Sequence, residues 1–281
     1  MDIWKRFRRD RLAVAGAIIA VIVTIAAIAA PLLAPYSPTE QFVDGLTLQG
    51  SPLPPNGKFW LGTDLLGRDL FSRLLYGARV SLLIGVVANA IAVLVGVVLG
   101  ALAGFVRGIV GEAIMRFTDL MMAFPALLLA IALAAILRPS LWIVAMVIAL
   151  VNWVQIARVI YSQVSILVEQ EHIQAARSLG ATRFQLLSWH IIPHLIPTAL
   201  IWGTLGISTT VLQEATLSFL GVGVQPPTPS WGGIINESQS FLQSAPWLIV
   251  FPGLSILVLS LAFNLLGDGV RDALDPTERG R

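Results

Sequence analysis

The sequence predicts an all-α polytopic membrane protein with six transmembrane helices and both termini in the cytoplasm. Composition is the first reason: 56% of the 281 residues are hydrophobic and only 12% charged, against about 25% charged in a soluble globule. Mean hydropathy is +0.82. The second reason is a set of six apolar stretches, each near the length of about 20 residues that crosses a hydrocarbon core. The third is the placement of the cations, which collect on one predicted side.

The N-terminal Lys5, Arg6, Arg8, Arg9 and Arg11 precede an uncharged stretch from Leu12 to Ala34. Positive charge ahead of a first span holds that end in the cytoplasm. A cleaved signal peptide is the competing reading, with small residues near Ala27 to Ala30, but its apolar core is only about 7 to 15 residues long. A retained anchor is therefore expected. Residues 35–78 change character, with Pro35, Pro38, Pro52, Pro54 and Pro55 marking an irregular extracytoplasmic loop. It closes with an amphipathic helix, in which Leu66, Leu70, Phe71, Leu74, Leu75 and Ala78 share one face and Arg68, Asp69, Ser72 and Arg73 the other. Such a helix suits the membrane interface or the side of its own bundle, and Asp69 is spaced to pair with Arg73.

A second span is expected over Val80 to Val106, with Gly96, Gly100 and Gly104 at four-residue spacing. Small-residue stripes let helices approach closely in lipid. The third span, Phe117 to Leu137, contains Pro125, and the fourth runs from Leu141 to Ile160. Asn152 and Gln155 lie within it and are pathway candidates, because polar side chains at that depth face protein or water. Arg158 is read as an anchor at its cytoplasmic end. A fifth span, Thr198 to Val222, carries Glu214, also a pathway candidate, and the sixth covers Ala245 to Leu266.

Between the fourth and fifth spans lies the least membrane-like part of the second half, EQEHIQAARSLGATRFQLLSWHIIPHLIP, from Glu169 to Pro197. Glu171 to Leu179 favour a helix, Gly180 suits the left-handed turn past its end, and Thr182 with Gln185 forms a capping box opening a second helix. Pro193 is expected to stop that helix. Ala175 and Ala176 expose almost no side chain, so another protein's surface can come close to the backbone.

This elbow resembles the EAA motif of permease subunits of ABC importers: Glu-Ala-Ala, three residues, Gly, nine residues, Ile, one residue, Leu-Pro. Gln174 stands in place of the Glu, His190 of the Ile and Ile192 of the Leu, with the spacing intact. The segment LGTDLLGRDLFSRLLYGARVSLLIG before and into the second span, FLGVGVQPPTPSWGG after the fifth and the tail GDGVRDALDPTERGR are similar to the C-type permease subunit of dipeptide and oligopeptide (peptide/nickel) importers. The resemblance implies a type I ABC importer permease fold. Its expected organisation is an N-terminus and peripheral first helix (1–34), the outer loop (35–78), a permease core (79–267) with a coupling loop at about 161–197, and a cytoplasmic tail (268–281). It further implies Gln174, Ala175, Ala176, Gly180 and Pro193 as ATPase-coupling residues and a cell-membrane location. The implied partners are a second homologous permease subunit, two ATPase subunits that bind ATP and Mg, an extracytoplasmic substrate-binding protein and membrane lipid.

Other chemistries have weaker support. Lys58 has Pro52 and Phe59 where a phosphate-binding loop needs glycine and a hydroxyl, so no ATPase site is expected in this chain. His190 and His194 have a zinc-helix spacing without an HExxH, so no metal is expected. Gly206, Ile207 and Ser208 loosely suggest an intramembrane serine protease, but no span holds a histidine to activate the serine. There is no cysteine for thiol chemistry. The basic N-terminus reads as juxtamembrane charge rather than nucleic-acid binding. A stand-alone secondary carrier of six spans is the remaining alternative class. Cation placement favours the first reading: Lys5, Arg6, Arg8, Arg9, Arg11, Arg107, Arg116, Arg158, Arg177, Arg183, Arg271, Arg279 and Arg281 fall on the predicted inner side, leaving Lys58, Arg68, Arg73, Arg79 and Arg138 outside.

Overall fold

The computed structural model describes residues 3–137 and 140–274, so Arg138, Arg279, Arg281 and the end of the tail lie outside the described residues. Among the described residues the regular structure is helical: α1 (Ile3–Arg9), α2 (Arg11–Ile28), α3 (Ala30–Leu33), α4 (Leu70–Val106), α5 (Gly108–Met122), α6 (Ala126–Ile136), α7 (Leu141–Leu167), α8 (Glu171–Ser178), α9 (Arg183–Gln185), α10 (Ile192–Phe219), α11 (Trp231–Ser238) and α12 (Trp247–Leu274). Five of these segments are long and apolar enough to cross a membrane by themselves, α9 and α10 counting as one. The bent pair α5 and α6 can supply a sixth crossing.

The scaffold is the pair α4 and α7. Every fourth residue of α4 is a glycine where α7 leans on it, and the contact is too close for a side chain. A Cβ at Gly96 would lie 2.7 Å from that of Ile156, one at Gly100 2.5 Å from the Ala157 carbonyl oxygen, and one at Gly104 2.9 Å from the Val164 Cβ. A Gly100→Leu subunit is expected to lose about 1–3 kcal/mol through overpacking. A lower melting temperature of the purified protein, beside an unchanged one for Gly203→Leu, checks it, since Gly203 has no neighbour within 4 Å.

Several boundaries differ from the sequence reading, each for a local reason. The outer amphipathic helix and the second span are one helix of 37 residues, α4. Asp69 caps it, accepting from Ser72 N at 2.8 Å and from the Ser72 hydroxyl at 2.7 Å. Its polar face turns inward rather than toward an interface: Ser72 is fully buried and Arg73 is 2% exposed. Arg73 pairs with Asp64, not with Asp69.

The third span is not one rod. Pro125 has extended backbone and α5 and α6 meet at 87°, because proline disfavours helical geometry in the residue before it. The segment from Gly108, read as a connection, is the start of α5, which doubles back on α4 so that Gly111 meets the Ala103 carbonyl. The fourth span runs on to Leu167, where nothing in the sequence stops it. The sixth extends to Leu274, absorbing the first part of the tail, as Gly267 packs on Leu205 and Gly269 on Ala13.

Pro193 does not end its helix. The chain passes from α9 through a π turn, Leu186–Ile191, straight into α10. The Ile192 N–H reaches back to the Leu187 carbonyl, so the helix is already widened where the proline ring would press on the preceding turn. The first span ends at Ile28, just before α3, which has Pro31 in its first turn, and its small residues Gly16, Ala20 and Ala27 are buried. Gly16 lies directly against Ala262 and Leu265 of α12.

Candidate functional site

The elbow sits at the end of the bundle where α4 turns into α5 and α7 into α8. Arg107 ties these turns together, donating to the Glu169 carboxylate at 3.0 Å and the Ser165 carbonyl at 3.1 Å. It does so from a left-handed backbone conformation with φ of 54°. Ile173 anchors α8 as its one buried residue. Beyond α8, Gly180 N–H bonds the Arg177 carbonyl and Ala181 N–H the Ala176 carbonyl, at 3.0 and 3.1 Å. With Gly180 at φ 89°, these are the two bonds of a Schellman stop. Thr182 then caps the next helix reciprocally with Gln185.

Gln174 turns its amide back to the Val168 carbonyl at 2.9 Å. Ala175 is exposed and Ala176 half-buried. Around them stand apolar side chains in solvent, Leu179 at 89% and Phe184 at 76% exposure, and the exposed cations Arg177 and Arg183. Arg107, Arg177 and Arg183 line a cleft of about 370 Å³ behind the elbow. Pro193 lies further on, in the first turn of α10. Leu179 and Phe184 are knobs that sequence reasoning missed. Two large apolar residues flanking a glycine turn, in a polar segment, were the available signal.

The span residues divide. Asn152 on α7 and Gln213 on α10 exchange two hydrogen bonds, at 2.8 and 3.1 Å. Gln155 is exposed, one turn along α7. Glu214 is wholly buried and accepts from the Ser81 and Ser218 hydroxyls, each at 2.8 Å. It therefore cross-links α10 to α4 inside the protein. Arg158 pairs with Asp119 of α5 at 3.0 Å, and α7 continues nine residues past it. Gln213, Ser81 and Asp119 were not singled out from sequence, because their partners lie far along the chain.

At the opposite end, Arg68 and Arg73 each donate to Glu237 of α11 at 2.9 Å and both also pair with Asp64. Burial pushes the Glu237 carboxyl above its ordinary 4.5; Arg68 draws it down and Asp64 adds to the rise. A raised carboxyl binds its proton more readily folded than unfolded. Its contribution is thus complete below 4.5 and lost as pH rises through the raised value. Glu237→Gln is expected to flatten the melting-temperature profile in that window, as read from melts at successive pH values.

A helical bundle of five or six spans with an exposed elbow at one end defines a class, the membrane-embedded permease subunits of ABC importers. Residues 96–280 match the family described as binding-protein-dependent transport system inner membrane component, and residues 1–55 match the N-terminal TM domain of oligopeptide transport permease C. This chain belongs to that permease family, which is a family of multi-pass inner-membrane transport proteins and not of enzymes. It is 42% identical over 279 residues to the glutathione transport system permease protein GsiD of Escherichia coli O6:K15:H31, covering 99% of this chain and 91% of the relative. It is also 42% identical over 275 residues to the dipeptide transport system permease protein DppC of Alkalihalophilus pseudofirmus, covering 98% and 89%. The fold matches a chain of the MetNI methionine ABC transporter in an inward-facing form, with TM-score 0.60, 18% identity and coverage of 72% of this chain and 97% of that one.

Proposed function

We propose that this subunit forms half of the translocation path of an importer for dipeptides or short oligopeptides. A second homologous permease supplies the other half, two ATPases holding ATP and Mg bind the elbow on the cytosolic side, and an extracytoplasmic binding protein delivers the peptide. The observation that carries the coupling role is the elbow itself: exposed Ala175 on α8, Leu179 at its end and Phe184 on α9 beyond the glycine stop, with α8 fixed by Ile173. Large apolar side chains grouped in water, as Leu179 and Phe184 are, mark a surface that another protein covers. The relatives named for glutathione and dipeptide transport support a peptide substrate.

Closure of the ATPases on ATP would push α8 and, through the uninterrupted run of α9, the π turn and α10, rock the spans that border the path. The test is uptake of a radiolabelled dipeptide into proteoliposomes holding the whole complex, with the binding protein outside the permease's outer face. Uptake that requires hydrolysable ATP is expected. Uptake by this chain alone, driven by an ion gradient, would contradict the reading.

A further inference from the structure

Asp119 on α5 and Arg158 on α7 form a charged pair that is half exposed. Arg158 lies nine residues before the end of α7, about 13 Å along the axis at 1.5 Å per residue. Its guanidinium is held there by Asp119 at 3.0 Å and by the Met115 sulfur at 4.0 Å, rather than extended toward the helix end. Yet the two side chains are 52% and 47% exposed on the surface of the chain. Charged side chains held against lipid are costly and turn to protein or water instead. The open side of the pair therefore borders water or another subunit.

Two neighbouring features mark that side as a path. The exposed Gln155 is one turn along α7 from Arg158, adjacent on the helix surface. On the elbow side opens a cavity of about 810 Å³, whose lining includes Asp119, Arg116, Tyr161 and Glu169. That volume is of the size that holds small ligands. One anion and one cation, side by side and half open, complement a solute that itself carries one of each.

We propose that Asp119 and Arg158 form a charged clasp on the inner half of the translocation path, binding the free ammonium and the free carboxylate of a zwitterionic peptide as it passes to the cytosol. This rests on the peptide-importer reading above. Opening of the pair exchanges one internal ion pair for two with the substrate, so passage leaves no charge bare at membrane depth.

The test uses the whole reconstituted complex. Asp119→Asn with Arg158→Gln removes both charges while keeping polar side chains, and is expected to raise the apparent KM for a zwitterionic dipeptide roughly tenfold or more, with the melting temperature unchanged. A merely structural pair would move the melting temperature and leave KM alone. In a second arm, Arg158→Cys is introduced into this cysteine-free chain and treated with a membrane-impermeant methanethiosulfonate in inside-out vesicles. Labelling that saturating dipeptide slows supports the clasp. An unreactive cysteine, labelling indifferent to dipeptide, or wild-type KM in the double variant would overturn it. Failure of the wild-type complex to import any dipeptide with ATP would instead sink the parent reading.

Discussion

A Gly180→Val subunit is expected to lose ATP-driven transport while it still folds and enters the membrane. Gly180 has φ of 89° and no atom within 4 Å of where a Cβ would stand, so the loss cannot come from a clash. It comes from backbone conformation. A left-handed geometry costs an ordinary residue roughly 1–2 kcal/mol, and a β-branched one is a genuine outlier there. The chain would relieve that strain by abandoning the two Schellman bonds to Ala176 and Arg177. The axis of α8 would then swing against α9, and Leu179 and Phe184, which flank the turn, would no longer share one surface. Hydrolysis without uptake in the reconstituted complex is the expected reading, with Gly180→Asn the milder variant, because asparagine tolerates this geometry better.

The second large effect is on stability. Arg73→Ala should lower unfolding free energy by about 3–5 kcal/mol, the usual cost of removing one partner from a buried ion pair. Arg73 is 2% exposed and joins Asp64, just before the second span, to Glu237 on α11, 164 residues away. Without it Asp64 stays buried with Arg68 as its only cation. Neutralising the stranded acid in Arg73→Ala with Asp64→Asn should recover part of the loss, and a double-mutant cycle on melts in detergent measures that coupling. Additive losses would mean that the pair is not coupled.

What could be read from the sequence was what rests on neighbours along the chain. The apolar stretches gave the spans, and the small elbow was visible because Gly180, Thr182 and Gln185 act within one turn of each other. Legibility failed where partners are remote or where geometry corrects a local signal. The helix of Arg68, Asp69, Ser72 and Arg73 suited the membrane interface or the side of its bundle equally, since Glu237 could not be placed beside it from spacing. Pro193 looked like a stop because the π turn that accommodates it has no simple sequence mark. The serine partners of Glu214, Ser81 and Ser218, could not be chosen from spacing, because Ser81 lies on another helix far along the chain. Pro125 was noticed, but the size of the bend it permits depends on how α5 lies against α4 and α7.

The proposed contact between the elbow and a partner ATPase is open to one direct measurement. With no native cysteine in the chain, Phe184→Cys places a single thiol on the exposed knob, and a short bifunctional maleimide can join it to cysteines introduced along the ATPase surface. The account predicts a covalent permease–ATPase product in native membranes whose yield changes with ATP. A thiol that reacts only with reagent applied from outside the cell, or that never joins an ATPase chain, would contradict it.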